Sequence, residues 1–191
     1  MNDDSARAVV IGASAGAVEA LSTILPALPA DYELPVMIVV HVPPDKSSVL
    51  ADLFQMKCAI AVREPEDKEP ARAGTVYFAP ADYHLLVEED GRLSLSNEEP
   101  VHYSRPSIDV LFESAADAYG PHLIGVLLTG ANQDGAKGLA AVAHAGGETI
   151  VQNPDEAFAR AMPEAALAAC PNARALSLED IAGYLRGVGK T

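Results

Sequence analysis

Three short runs of consecutive apolar residues organise the chain: 8–11, 36–40 and 123–128. None alternates apolar with polar. A run that is apolar at every position reads as a strand buried on both faces, as in a parallel sheet between helical layers. The segments between them carry helical spacing. Val18, Leu21, Ile24, Leu25 and Leu28 fall on one face of a helix predicted over 18–28, and Pro26, Pro29 and Pro35 mark its exit. Val49, Leu50, Leu53 and Phe54 do the same over 47–54, and 108–119 and 135–144 repeat the pattern. Residues 75–95 differ. Val76-Tyr77-Phe78 is strand-like, and Leu85-Leu86-Val87 and Leu93/Leu95 flank Glu89-Asp90-Gly91, where Asp-Gly signals a hairpin. A closing amphipathic helix is expected near 178–185. The predicted fold class is α/β: a doubly wound, mostly parallel sheet with helices on both faces and an added antiparallel hairpin.

Composition narrows the picture. With 49% hydrophobic residues the chain can bury a core, and 191 residues favour one domain. No apolar run approaches the roughly 20 residues that span a bilayer, so no membrane insertion is expected. The acidic start Met1-Asn2-Asp3-Asp4 lacks the basic region of a secretory signal, which points to a cytoplasmic location. Cys58 and Cys170 match no metal-knuckle spacing and read as reduced thiols. The formal net charge of −14 argues against a nucleic-acid partner, which needs clustered Lys and Arg.

The chemistry gathers at the ends of the three runs. Gly12-Ala13-Ser14-Ala15-Gly16 fits G-x-S-x-G between a strand and a helix, where small neighbours allow a sharp turn and leave a serine hydroxyl exposed. The competing reading is a phosphate-binding turn. The dinucleotide fingerprint fails, because Ser14 and Ala17 stand where it needs glycine, and no Gly-Lys-Ser/Thr is present. His41 directly follows the second run, at the strand end where open α/β sheets bind ligands, and could act as general base; alternatively it satisfies local carbonyls. Asp134 follows the third run and opens a helix. It could orient His41, or serve as that helix's N-cap. Arg105 could bind an acidic or carbonyl group, or pair with Asp109 or another carboxylate. His84 could line the site or sit on a surface turn. His102, His122 and His144 show no grouping with carboxylates, so neither a metal nor any other cofactor is expected.

At these residues the chain resembles the catalytic domain of the CheB chemotaxis receptor methylesterases. The blocks that carry the resemblance run from about residue 9 to 168. They are Gly12-Ala13-Ser14-Ala15-Gly16, His41-Val42-Pro43-Pro44, Val76-Tyr77-Phe78-Ala79-Pro80, Ser104-Arg105-Pro106-Ser107-Ile108-Asp109, Leu128-Thr129-Gly130 with Asp134-Gly135-Ala136, and Ala161-Met162-Pro163. The resemblance implies a Ser14–His41–Asp134 triad, with backbone N–H groups of Ala15 and Ala131 at the oxyanion. It implies a protein-glutamate methylesterase, possibly also a glutamine deamidase, acting in signal transduction on the cytoplasmic helices of a methyl-accepting chemoreceptor. Residues 1–191 are then expected to form a single catalytic domain with no receiver domain, open to control by a separate regulatory protein. Ala131-Asn132-Gln133 departs from the Met-Gly-Asn of the familiar pattern. That departure motivates an alternative: a weak or non-catalytic domain that binds a receptor or signalling partner. A nucleotide-binding domain is a third reading, disfavoured by the missing fingerprint.

Overall fold

The computed structural model describes residues 7–41 and 48–188. Seven strands form one sheet in the order β3-β4-β2-β1-β7-β8-β9: β1 (Ala8–Ala13), β2 (Val36–Val40), β3 (Ala61–Arg63), β4 (Thr75–Phe78), β7 (Leu123–Leu127), β8 (Glu148–Gln152) and β9 (Arg174–Leu176). Every pairing in it is parallel. The hairpin strands β5 (His84–Val87) and β6 (Leu93–Ser96) pair only with each other. They form a separate two-stranded layer, the added antiparallel hairpin that the Asp-Gly turn predicts. Their loop closes through Gly91, at φ +80°, whose N–H reaches the Glu88 carbonyl at 2.9 Å. Glycine tolerates that left-handed backbone without steric cost.

The apolar runs behave as their lack of alternation predicts. In β1 and β2, Val9, Ile11, Val36 and Ile38 face one core, while Ala8, Val10, Met37 and Val39 face the other. The first core is covered by α1 (Ala17–Ile24), α2 (Ser48–Gln55) and α6 (Leu178–Val188). The second is covered by α3 (Ile108–Tyr119), α4 (Ala136–His144), α5 (Ala161–Ala169) and the hairpin. The helix predicted over 18–28 stops sooner. Its α-helical part ends at Ile24, and a 3-10 turn over Leu25–Ala27 carries Pro26. Leu21, Ile24, Leu25 and Leu28 are buried as expected, but Val18 is 42% exposed because Ala17 takes the inward position. Residue 47 of the helix predicted over 47–54, and Val42-Pro43-Pro44 after His41, lie outside the described residues. Among the described residues no helix is long and apolar enough to cross a membrane.

The strand order places β1 at a reversal. Chain order proceeds outward from β1 through β2 on one side and through β7 on the other. In open α/β sheets such a point leaves a crevice at the carboxyl ends of the strands, where ligands bind. Ser14, His41 and Thr129 all lie just beyond those ends.

Candidate active site

The parallel register sets the first two site residues side by side. Ala13 pairs with Val40, so Ser14 and His41 are the next pair of positions across the two strands. The His41 N–H continues the ladder to the Ala13 carbonyl at 3.2 Å, and the Ser14 N–H crosses the other way to the Thr129 carbonyl at 2.9 Å. Ser14 is therefore held from both sides at the β1–α1 turn. Gly16, which starts α1, has φ +85°; a Cβ there would stand 2.6 Å from the Phe158 Cβ. The pentapeptide needs glycine at this position for both backbone and space.

Ser14 and His41 line one cavity of about 350 Å³, together with Val18, Glu19, Leu50 and Phe158. The hydrogen bonds among the described residues include none between the Ser14 hydroxyl and His41. His41 instead meets Asp134: Nε2 lies 2.7 Å from Oδ2. With Nε2–H donating to the carboxylate, Nδ1 carries the lone pair.

Asp134 is fully buried, and four donors surround it. Oδ2 accepts from His41 and from the Ile108 N–H at 2.7 Å. Oδ1 accepts from the Ser107 hydroxyl at 2.9 Å and the Asp109 N–H at 3.0 Å. Burial pushes this carboxyl up, but the hydrogen bonds from His41, Asp109 and Ile108 and the His41 charge outweigh it, and the net shift is downward. Asp134 is thus held as an anion at the N-terminus of α3, where orphan N–H groups and the helix dipole favour negative charge. It is not the cap of the helix it precedes. Gly135 is the N-cap of α4, without a side-chain cap bond. The N–H groups of Gly135 and Gly138 go to Asp109 Oδ1, at 3.0 and 2.6 Å. Asn132 shapes the approach, its side-chain oxygen accepting the Asp134 N–H at 3.0 Å as in an Asx turn.

The remaining sequence candidates separate. Arg105 lies outside the cavity: its Nε and Nη2 reach Asp82 at 3.0 and 2.6 Å, and Nη1 reaches the carbonyls of Asn97 and Glu98. Its partner is Asp82, not Asp109. His84 lies neither in the cavity nor on the surface; it is 2% exposed. His102 does have a carboxylate neighbour, with Nε2 3.4 Å from Asp109 Oδ2. Ala15 lies in the Ser14 turn, and Ala131 is exposed on the loop to Asp134.

Two residues that support the serine turn, Thr129 and Gln152, carry no assigned role in the sequence, where Thr129 stands only as a member of the Leu128-Thr129-Gly130 block. Thr129, 1% exposed, donates its hydroxyl to the Ala15 carbonyl at 2.8 Å and accepts the Ala159 N–H at 2.9 Å. Its own N–H goes to the buried Gln152 side chain at 2.9 Å. It therefore ties the serine turn to the 153–160 loop, which carries Phe158. Gln152 has the signature that drew notice to His41, a polar residue ending a β-branched run.

A family model described as CheB methylesterase matches residues 9–185. A protein of Leptospira interrogans is 46% identical over 176 residues, covering 92% of this chain and 91% of that protein. A Symbiobacterium thermophilum protein named protein-glutamate methylesterase/protein-glutamine glutaminase is 40% identical over 185 residues; the match covers 96% of this chain but 51% of that relative. The crystal structure of the Thermotoga maritima CheB methylesterase catalytic domain superposes with a TM-score of 0.91 at 31% identity, covering 96% of this chain and 99% of that one.

Proposed function

The chain belongs to the CheB methylesterase family, and from that premise we propose that it hydrolyses glutamate γ-methyl esters on the cytoplasmic helices of a chemoreceptor, with Ser14, His41 and Asp134 as the triad. The observation that carries this reading is the part-buried His41–Asp134 hydrogen bond of 2.7 Å beside a cavity that His41 shares with Ser14.

Ser14 Oγ attacks the ester carbonyl carbon, and His41 Nδ1 takes the hydroxyl proton. Asp134 holds the ring by Nε2–H and stabilises the imidazolium that forms. Either ring nitrogen can face the serine, provided that the carboxylate binds the other. Negative charge then develops on the former carbonyl oxygen. The start of α1 behind Ser14 stabilises it, with the Ala15 and Ala131 N–H groups as the assigned donors. The tetrahedral intermediate collapses with cleavage of the C–OCH3 bond. His41 protonates the departing methoxide, and methanol leaves. A water then attacks the acyl-enzyme by the same route, His41 returns the proton to Ser14, and glutamate is released.

Attack on a glutamine side chain follows the same steps with ammonia as leaving group, consistent with the double name of the Symbiobacterium thermophilum relative. Arg105 has no part in this scheme, because its nitrogens are committed to Asp82 and two carbonyls. A serine-directed sulfonyl fluoride tests the nucleophile: it should modify Ser14 and abolish methanol release. Modification elsewhere, with Ser14 untouched, contradicts the assignment.

A further inference from the structure

His84 is buried, and both of its ring nitrogens are engaged. The Ser107 N–H donates to Nδ1 at 3.1 Å, so Nδ1 carries a lone pair. The ring proton then sits on Nε2, which donates to the Glu99 carbonyl at 3.0 Å. Ser107 is fully buried and occupies the N-cap of α3 with extended backbone, φ −105° and ψ 138°. A serine there ordinarily accepts an N–H of its own helix. Here it makes no such bond, and the Asp134 carboxylate accepts the N–H groups of Ile108 and Asp109 instead. The hydroxyl is turned into a donor and reaches Asp134 Oδ1. The other oxygen of that carboxylate holds His41.

We propose that His84 and Ser107 form a buried positioning relay that sets the plane of the Asp134 carboxylate and, through it, the orientation of His41. The inference rests on the triad reading above, and neither residue touches substrate. Two donors on Oδ1 define how the carboxylate is rotated. Only one of them, the Ser107 hydroxyl, comes from a side chain that must itself be aimed. His84 aims it by holding the Ser107 backbone through the one N–H that precedes the helix. Side chains locked by packing and outer hydrogen bonds are what keep a catalytic geometry within tolerance.

Three variants test the relay. Ser107→Ala removes the hydroxyl. His84→Leu keeps bulk but removes the acceptor. His84→Asn places a carbonyl oxygen near the position of Nδ1. Two readouts are taken: kcat and KM for methanol release from a methyl-esterified receptor cytoplasmic fragment, and the downfield proton resonance of the His41–Asp134 hydrogen bond. Ser107→Ala and His84→Leu should lower kcat roughly tenfold with KM unchanged and displace the resonance, on the scale of one lost hydrogen bond to a charged group. His84→Asn should restore both. Folded His84→Leu with wild-type kcat and an undisplaced resonance overturns the proposal, as does His84→Asn as impaired as His84→Leu. If His84→Leu does not fold, Ser107→Ala decides on the same readouts. If Ser14→Ala shows that the reaction itself is misassigned, the resonance alone still decides the relay.

Discussion

Asp134 and Asp109 cap each other's helices. Asp134, the second residue before α4, binds the first N–H groups of α3, while Asp109, in the first turn of α3, binds N–H groups at the start of α4. This exchange places a carboxylate at each helix N-terminus and locks the two helices together at the site. Asp134 reaches the cavity that holds Ser14, through His41, whereas Asp109 contacts His102 outside that cavity. The pair therefore divides the labour: Asp134 ties the start of α3 to His41, and Asp109 holds the loop on which Asp134 stands.

Replacing Asp134 with Asn should damage both chemistry and stability. An amide cannot accept from four donors, so one end must oppose an N–H or O–H. We expect kcat for methanol release to fall by about 10³–10⁴, as when a triad histidine is left in the wrong tautomer. Stability should fall by about 1–3 kcal/mol from the unpaired buried group, read from denaturant unfolding.

The two carboxylates also predict opposite pH effects on stability. The folded-state pKa of Asp134 is depressed below its unfolded value, after hydrogen bonding outweighs burial. Its contribution is present above the ordinary aspartate value, about 3.9, and is lost as pH falls through the folded pKa. Asp109 is shifted upward: burial dominates, the Gly138 N–H opposes it, and the Asp134 charge adds to it. Its contribution favours the folded state in acid and is lost as pH rises from the ordinary value through the folded pKa. Denaturant midpoints measured against pH should show a smaller acid loss in Asp134→Asn, and a smaller loss on the rising side in Asp109→Asn. The same slope in all three proteins would contradict these assignments.

Thr129→Val isolates the support of the serine turn. The side chains match in shape, but the hydroxyl's bonds to Ala15 and Ala159 vanish in a site only 1% exposed. The cost should be about 1–3 kcal/mol in unfolding free energy, with a fall in kcat because the Ser14 turn loosens. Thr129→Ser should recover most of both. Calorimetry and methanol release check the pair.

How much of this was legible in the sequence depends on the range of the interaction. The three central strands showed themselves because burial on both faces leaves an unbroken apolar run, and a polar residue at the end of such a run stands out; that exposed Ser14 and His41. The edge strands β3 and β9 are three residues each and half-covered, and carry no such signature. Asp134 could be singled out as a residue, but not its partners. Its hold on Ile108 bridges 26 positions and follows from helix packing, which no local spacing encodes. For the same reason, the Arg105–Asp82 pair and the burial of His84 emerge only when the hairpin is folded against α3. A turn residue such as His84 looks exposed until the strand that it begins is packed.

The most direct test of the central claim is methanol release from a methyl-esterified chemoreceptor cytoplasmic fragment, comparing the chain with its Ser14→Ala variant. The unaltered chain should release methanol, and a folded Ser14→Ala variant should lose several orders of magnitude in rate. Release by Ser14→Ala at the rate of the unaltered chain, or none from either, contradicts the claim.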